Sequence, residues 1–443
     1  MSLNGFSCTV ERKAQRYRSL FCSLLWPRHP GRFGGEIRDF HLLRHLLSIS
    51  TVEFFSLHPV TNDGRDDFLA TYLEALHTSD SIHSTRPDLV HPMEANRNMA
   101  SRLIRTLRQR RLPVVGTRYH WDPSEHLPLV LSSCGPALKE RLKSTRFDFL
   151  FVGPQVNPVA LTFDTTQFQT RLIMSSYDIE AVRIRSFANS ERGLSRLALR
   201  LEARRAARFE RDNLARYDGV IAVSEQDRQY FIAQYGFAAE RVLTLDNGVD
   251  PQYFTFSPRI HGDRPHIVFV GTLSYLPNRQ AAWRLIRTIM PLVRRKFPDA
   301  CLWIVGQQPE ESLRAQSDGF RTVVTGAVED VRPYLTRATV SCVPLISGSG
   351  TKYKVLEALS AGVPMVCTPL AIDGLGLEDG RHLLVGRSDE EVATAINNLI
   401  GDEQRAASLA RQGREEVEGR FAWPQTLSRL NDWLSVMNSL PRR

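Results

Sequence analysis

TVSCVPLISGSGTKYKVLEALSAGVPMVCTPLAIDG, residues 339–374, is the stretch around which the rest of the chain is arranged. Thr339 to Val343 is β-branched and apolar enough for a buried strand, Gly348 and Gly350 open a loop, and Thr351 to Ala361 holds good helix formers ended by Gly362 and Pro364. The spacing therefore predicts a strand, a glycine loop and a short helix. Within that helix Val355, Leu356 and Leu359 form the inward stripe, while Glu357 lies about 200° around from Val355 and faces elsewhere. Lys352 and Lys354 fall in the first turn, where the helix macrodipole is positive and disfavours cations. Backbone N–H groups, a close glycine approach and two ammonium groups then converge on one point, as an anionic phosphate requires. The alternative is a glycine-rich turn before a surface helix whose lysines are solvated.

Two familiar phosphate motifs are excluded. Gly350 is followed by Thr351 and position 345 is Leu, which breaks the Walker pattern, and Tyr353 stands where a dinucleotide fingerprint has its third glycine. Gly348, Gly350, Lys354, Leu356, Glu357, Ala358, Gly362, Pro364 and Val366 instead follow the order G-x-G-x-x-x-K-h-L-E-A-h-A-x-G-x-P-h-V, with h apolar. This resembles the donor-site motif of the GT-B fold retaining glycosyltransferases of the large group 1 / family 4 type, enzymes of exopolysaccharide or lipopolysaccharide biosynthesis.

A chain of 443 residues is long enough for two or three domains. With 42% hydrophobic and 24% charged residues it has the composition of a soluble globular protein. The apolar run Leu20 to Trp26 is too short to span a bilayer, and no transmembrane or secretion signal stands out, which predicts a cytoplasmic protein. Cysteines 8, 22, 134, 301, 342 and 367 show no close pairing and read as reduced core residues. A net charge of +9 suits contact with anions, whether nucleic acid, anionic lipid or phosphorylated substrate.

Along the chain, Ser19 to Trp26 is a strand candidate, followed by Gly34-Gly35 at a turn and an apolar helix pattern at Phe40, Leu43, Leu46 and Leu47. Val52 to Leu57 reads as a second strand, Met99 to Leu107 as a helix, and Pro113–Gly116, Phe147–Val152 and Arg171–Ser175 as further strands. Glu191 to Tyr217 reads as one helix with arginines at 192, 196, 200, 204, 205, 208, 211 and 216, interleaved with Leu194, Leu197, Leu201 and Phe209. It is either a solvated face balanced by Glu202, Glu210 and Asp212, the reading put first, or a basic amphipathic surface for anionic lipid. Ser224 with Asp227 starts a helix as a capping box. The second half alternates again, with strands at 266–270, 301–305, 322–325, 339–343, 364–367 and 383–385, which means a parallel sheet covered on both faces.

The resemblance covers nearly the whole chain and implies an α/β architecture of two Rossmann-like, doubly wound parallel-sheet domains facing a cleft. Residues 1–256 form the acceptor-side domain, 257–265 the linker, 266–415 the nucleotide-sugar domain, and 416–443 a helix returning to the first domain. Donor-binding residues are then Gly34, Gly35, Gly271, Thr272, Gly306, Ser349, Gly350, Thr351 and Glu357, with Glu357 accepting from the ribose hydroxyls. Lys352, Lys354, Asp178 and Tyr177 carry the catalytic assignment. Three departures from the family pattern stand out: Tyr177 replaces a histidine, Ser349 replaces the first of two glutamates, and Thr272, Leu273 and Asn278 occupy the region where relatives grip pyrophosphate with arginine and lysine.

The implied reaction moves a hexosyl group from a nucleotide diphosphate sugar to a hydroxyl of a glycan or lipid-linked acceptor, with retained configuration and no metal or other cofactor. Asp63 to Asp67 (DGRDD) reads as a turn, not a metal loop. No nucleic-acid partner is expected, and an anionic membrane is the one further surface the arginine helix brings in, placing the protein on the inner face of the membrane. Two rivals stay open: a GT-B sugar-nucleotide epimerase, and a non-catalytic protein that binds anionic lipid or nucleic acid.

Overall fold

The computed structural model describes residues 17–23, 27, 31, 34–56, 75–77, 135–154, 165–256, 264–349 and 352–442. The strand read at 113–116, the helix read at 99–107, the turn at 63–67, positions 257–263 of the linker, Cys8, Cys134, Gly350 and Thr351 lie outside them. The chain divides into two compact units, one of 1–222, 228–243 and 430–443 and the other of 223–227 and 244–429.

In the first unit β1 (Tyr17–Ser23), β2 (Ser50–Ser56), β3 (Ala75–His77), β4 (Phe149–Val152), β5 (Arg171–Ser175), β6 (Gly219–Ala222) and β7 (Val242–Thr244) form one sheet, ordered β3-β2-β1-β4-β5-β6-β7. The ladders from β3 through β6 are parallel. Helices α1 (Gly34–Ile49), α2 (Gly135–Ser144), α3 (Glu180–Ser190), α4 (Gly193–Leu214) and α5 (Glu225–Tyr235) alternate with the strands. Strands buried on both faces need continuous apolar runs, and FLFV of β4 is wholly buried. Register puts Phe54, Phe21 and Phe151 side by side across β2, β1 and β4, with ring centroids 5.9 and 6.1 Å apart. The buried Glu53 on β2 accepts two bonds from Arg141 of α2, at 2.7 and 2.5 Å, and one from Arg18 of β1 at 3.1 Å, so its charge is met from two elements.

One helix expected from Glu191 to Tyr217 is shorter than the sequence reading, because Gly193 at φ +60 separates it from α3. Its inward face is Leu199, Ala203, Ala206, Glu210, Asn213 and Leu214. The leucines at 194, 197 and 201 point outward. Small residues at 203 and 206 let α4 lie close against α3, and that contact, not the leucine period, fixes the helix rotation.

The second unit holds β8 (His266–Val270), β9 (Cys301–Val305), β10 (Thr322–Val324), β11 (Val340–Val343), β12 (Met365–Cys367) and β13 (Leu384–Val385), all parallel, in the order β10-β9-β8-β11-β12-β13. Its helices are α6 (Leu276–Arg284), α7 (Met290–Lys296), α8 (Glu311–Arg314), α9 (Arg332–Thr336), α10 (Tyr353–Ser360), α11 (Asp389–Gly401), α12 (Glu403–Phe421) and α13 (Trp423–Leu427). A π-helical turn at Leu285–Ile289 joins α6 to α7.

Residues 423–439 form two helices, α13 and α14 (Leu430–Ser439), with a break between them. The break falls where the chain passes from the second unit back to the first: Trp433 donates to the Glu240 carbonyl at 2.9 Å, and Arg171 donates to the Asn438 carbonyl at 3.1 Å. Cys22, Cys301, Cys342 and Cys367 are buried and form no disulfide, as the sequence indicated.

Candidate active site

Open parallel sheets bind ligands beyond the carboxyl ends of their strands, where the strand order reverses. In the second unit that point lies between β8 and β11. The loops leaving these two strands carry Gly271 to Tyr275 and Pro344 to Lys352, so the topology alone brings two separate stretches of sequence to one place. Arg284 fixes the second loop by donating to the Pro344 carbonyl at 2.5 Å while holding Asp389 at 2.6 Å. Ser347 adds a bond to Gln280 at 2.6 Å.

Lys352 is the N-cap residue of α10, has an extended backbone, and donates from Nζ to the Ser349 carbonyl at 2.5 Å. Lys354, the second residue of α10, reaches across to α6: its Nζ donates to Asn278 Oδ1 and lies 5.0 Å from the Phe269 ring centroid. Asn278 is buried and donates in turn to the Thr272 carbonyl at 2.9 Å. A Cβ added to Gly271 would stand 2.8 Å from the Asn278 amide nitrogen and 2.9 Å from Lys354 Nζ, so only glycine leaves room for this approach. Gly348, at φ +110, lets the opposite loop come down on Pro277. Gly306 closes β9 against Gly271, and a Cβ there would overlap the Gly271 carbonyl oxygen.

Electrostatically this site is unrelieved as it stands. Burial pushes the Lys354 ammonium down to about 7, and the neighbouring Lys352 adds to the shift while Glu357 opposes it. Burial also pushes the Glu357 carboxyl up to about 7, against the pull of Lys354. Both groups are held where their charged forms lack solvation, and both titrate near neutrality. The uncapped amino end of α10 adds its positive dipole at the same point. An anion at this point would favour the charged form of Lys354 and complement the helix end, while Glu357 is relieved only by a cation or a hydrogen-bond donor.

Of the sequence-derived residues, Gly271, Thr272, Gly306, Ser349, Lys352, Lys354 and Glu357 all belong to this cluster or to the loops and helix that build it. Gly34, Gly35, Tyr177 and Asp178 form another cluster, in the first unit. Gly34 and Gly35 are the first residues of α1, not a free turn. A Cβ on Gly35 would stand 2.8 Å from the Tyr177 ring, and one on Gly153, just after β4, 3.3 Å from its hydroxyl. Tyr177 thus fills the corresponding switch point of the first sheet, between β1 and β4. Its hydroxyl donates to Asp39 Oδ2 at 2.6 Å, where Ser23 also donates at 2.8 Å. Asp178 turns instead to Arg183, at 3.5 Å.

Asp39 is a residue the sequence reading did not single out; its helical position in a polar-apolar run gave no sign of its burial. Burial raises its carboxyl from 3.8 to about 6, moderated by the Tyr177 and Ser23 hydrogen bonds. A raised carboxyl contributes stability that is present below pH 3.8 and lost as pH rises through about 6. Tyr177→Phe removes a bond made best to the ionised form, so it is expected to destabilise the fold by about 1–3 kcal/mol at pH 8 and by much less at pH 4.5. Urea unfolding at the two pH values measures this, and equal losses would contradict it. Asn278 was likewise placed in the phosphate-gripping region without a role; the absence of arginine beside Gly271 was the signal that another side chain must deliver the cation. Among the described residues, no group of three or more His, Cys, Asp or Glu converges on one point.

Two family models match this chain: "Glycosyltransferase Family 4" over residues 128–253 and "Glycosyl transferases group 1" over residues 264–402. A GDP-mannose-dependent alpha-(1-6)-phosphatidylinositol monomannoside mannosyltransferase of Mycobacterium tuberculosis is 31% identical over 246 residues, 49% of this chain and 61% of that protein. A phosphatidyl-myo-inositol mannosyltransferase of Mycobacterium leprae is 27% identical over 218 residues, 48% of this chain and 57% of that protein. The chain thus spans about three fifths of the length of these relatives. In fold, it resembles sucrose-phosphate synthase from Thermosynechococcus elongatus, with a TM-score of 0.65 at 16% identity over 95% of this chain and 99% of that one. It also resembles Anabaena HepE in complex with UDP and glucose, with a TM-score of 0.61 at 14% identity over 96% and 100%. Two doubly wound parallel sheets and two matched models that together take in more than half of its length place the chain in one family: it belongs to the group 1 / family 4 glycosyltransferases of GT-B fold.

Proposed function

We propose that this protein transfers a hexosyl group from a nucleoside diphosphate sugar to a hydroxyl of a glycan or lipid-linked acceptor, with retention and without a divalent cation. The observation that carries this reading is the Lys354 ammonium held beside Gly271 by Asn278, at the carboxyl edge of the β8–β11 switch point. As the bond to the sugar lengthens, negative charge grows on the departing diphosphate. Lys354, Lys352 and the positive end of α10 are assigned to stabilise it, and a preorganised group of donors costs no reorganisation at that moment. Glu357, on the next turn, is assigned to the ribose hydroxyls. Because burial brings Lys354 down to about 7, donor binding itself restores its charge.

The test is turnover. The protein is incubated with UDP-, GDP- and ADP-sugars, beginning with GDP-mannose on the strength of the relatives' names, with and without glycan and lipid acceptors. Acceptor-dependent release of nucleoside diphosphate is expected, with an α-linked product from an α-linked donor by NMR. The rate is expected to survive EDTA unchanged. Isomerisation of donor alone would make the protein an epimerase, and activity that dies in EDTA and returns with magnesium or manganese would refute the metal-free part.

A further inference from the structure

Helix α4 presents a face that glycosyl transfer does not use. Leu194, Leu197 and Leu201 are 62%, 56% and 49% exposed. At about 100° per residue they share an arc of about 80° with Arg204 and Arg208, opposite the buried Leu199, Ala203 and Ala206. The outer line of the helix is therefore apolar in its first half and basic in its second. Arg200 lies about 40° beyond this arc, and Arg196, Arg200, Arg204 and Arg208 are all exposed.

Of the three acids of α4 only Asp212, one turn beyond Arg208, stands free on the outward arc, so four exposed arginines face a single exposed acid there. Glu210 is buried on the inner face, where its carboxylate accepts from the Glu180 and Ala181 amides and from the Tyr235 hydroxyl. Glu202 is engaged by Arg205 at 2.8 Å. Asp212 is the one acid of α4 that is fully exposed. A solvated helix face has no use for three exposed leucines in a row, and a polyanion such as RNA would engage the arginines without them. Nor does the face suit a second copy of this chain. The leucine row is only about 10 Å long at 1.5 Å per residue, far short of the roughly 800 Å² per partner of a stable interface, and two copies would bring arginines against arginines.

We propose that the outer face of α4 docks this protein on an anionic lipid surface, with the leucines set into the boundary between headgroups and acyl chains and the arginines on the phosphates. That is the side-chain distribution of interfacial helices. The proposal stands apart from the donor site and holds or falls without reference to glycosyl transfer.

The full chain is floated with phosphatidylcholine vesicles, with and without phosphatidylglycerol, at low and high salt. Binding is expected to require the anionic lipid and to weaken with salt. Replacing Arg200, Arg204 and Arg208 together by Ala is expected to lower partition roughly a hundredfold. Leu194→Ser, Leu197→Ser and Leu201→Ser combined are expected to lower it by about tenfold or more, while the same three changed to Met retain it. All six positions are exposed, and thermal unfolding of each variant checks the fold. Equal binding to zwitterionic vesicles, or unchanged partition in either the arginine or the serine variant, overturns the proposal. A parent that ignores vesicles but sediments as a dimer, converted to monomer by the serine changes, would make the face an interface between copies instead. Binding to single-stranded RNA that depends on the arginines and not the leucines, with no vesicle binding, would make it a polyanion site.

Discussion

Replacing Lys352 and Lys354 together by Met is expected to weaken nucleoside diphosphate binding by about a hundredfold or more while leaving nucleoside binding within about threefold. A hydrogen bond to a charged group is worth about 1.5–3 kcal/mol, and the proposed function assigns both ammonium groups to the same diphosphate, so a loss of about 3 kcal/mol is the lower end of the range. The nucleoside lacks the charges the lysines meet. Thermal stability of the empty protein is expected to hold or to rise slightly, because the substitution removes two cations crowded at the positive end of α10. Calorimetric titration of both ligands into parent and variant measures the ratio. If the diphosphate-to-nucleoside ratio falls by less than about tenfold, on the order of 1.4 kcal/mol, the lysines do not hold the diphosphate.

The same site carries a pH signature whose sign is fixed by the two shifts. Lys354 is lowered from 10.5 to about 7, so between those values the unfolded chain holds a proton that the folded one does not, and stability rises with pH across that window. Glu357 is raised from 4.5 to about 7, so its contribution is present below 4.5 and is lost as pH rises through 7. The two arms meet near neutrality, where this pair of groups contributes least to stability. On the proposed function, a bound diphosphate pulls the Lys354 value back up. Binding at pH 8 is therefore expected to take up close to one proton, seen as a dependence of the apparent heat on buffer ionisation enthalpy, and the Lys354→Met variant is expected to lose that dependence.

Much of this site was legible in the sequence because its parts are local: the strand, the glycines and the lysines of 339–374 lie within one βα unit, and β8, β9 and β11 follow their apolar runs closely. What was not legible depends on contacts between distant stretches. Nothing near Asn278 states that its amide will meet a lysine 76 positions later, and nothing near Asp39 states that Tyr177 will close over it. Helix α3, which the sequence reading passes over, has its apolar residues at 181, 184, 187 and 188, a helical spacing that was there to be read. The outward leucines of α4 show the limit of periodicity itself. Two stripes on that helix satisfy the helical period, and only the closeness of α3, permitted by Ala203 and Ala206, selects the one with smaller side chains as the inner face.

The largest expected effect on stability comes from a position with no charge at all. Gly306→Ala is expected to cost about 3 kcal/mol or more, because the added Cβ overlaps the Gly271 carbonyl oxygen, and neither atom is on a side chain that can turn away. Gly271 is tied to β9 through its amide, which donates to the Val305 carbonyl at 2.9 Å, and the next link, Leu273 N–H to the Gln307 carbonyl, is also 2.9 Å. Relief therefore requires the β8 and β9 loops to part, which carries Gly271 away from Lys354 and dismantles the cation's seat. Gly319→Ala supplies the control: Gly319 also has a positive φ, +74, but a Cβ there meets nothing within 4 Å. Its expected cost is only the roughly 1–2 kcal/mol of a left-handed backbone. Urea midpoints of the two variants separate backbone preference from close approach. If Gly306→Ala is no more destabilising than Gly319→Ala, or if it keeps full diphosphate affinity, then the packing of Gly306 on Gly271 does not support the site.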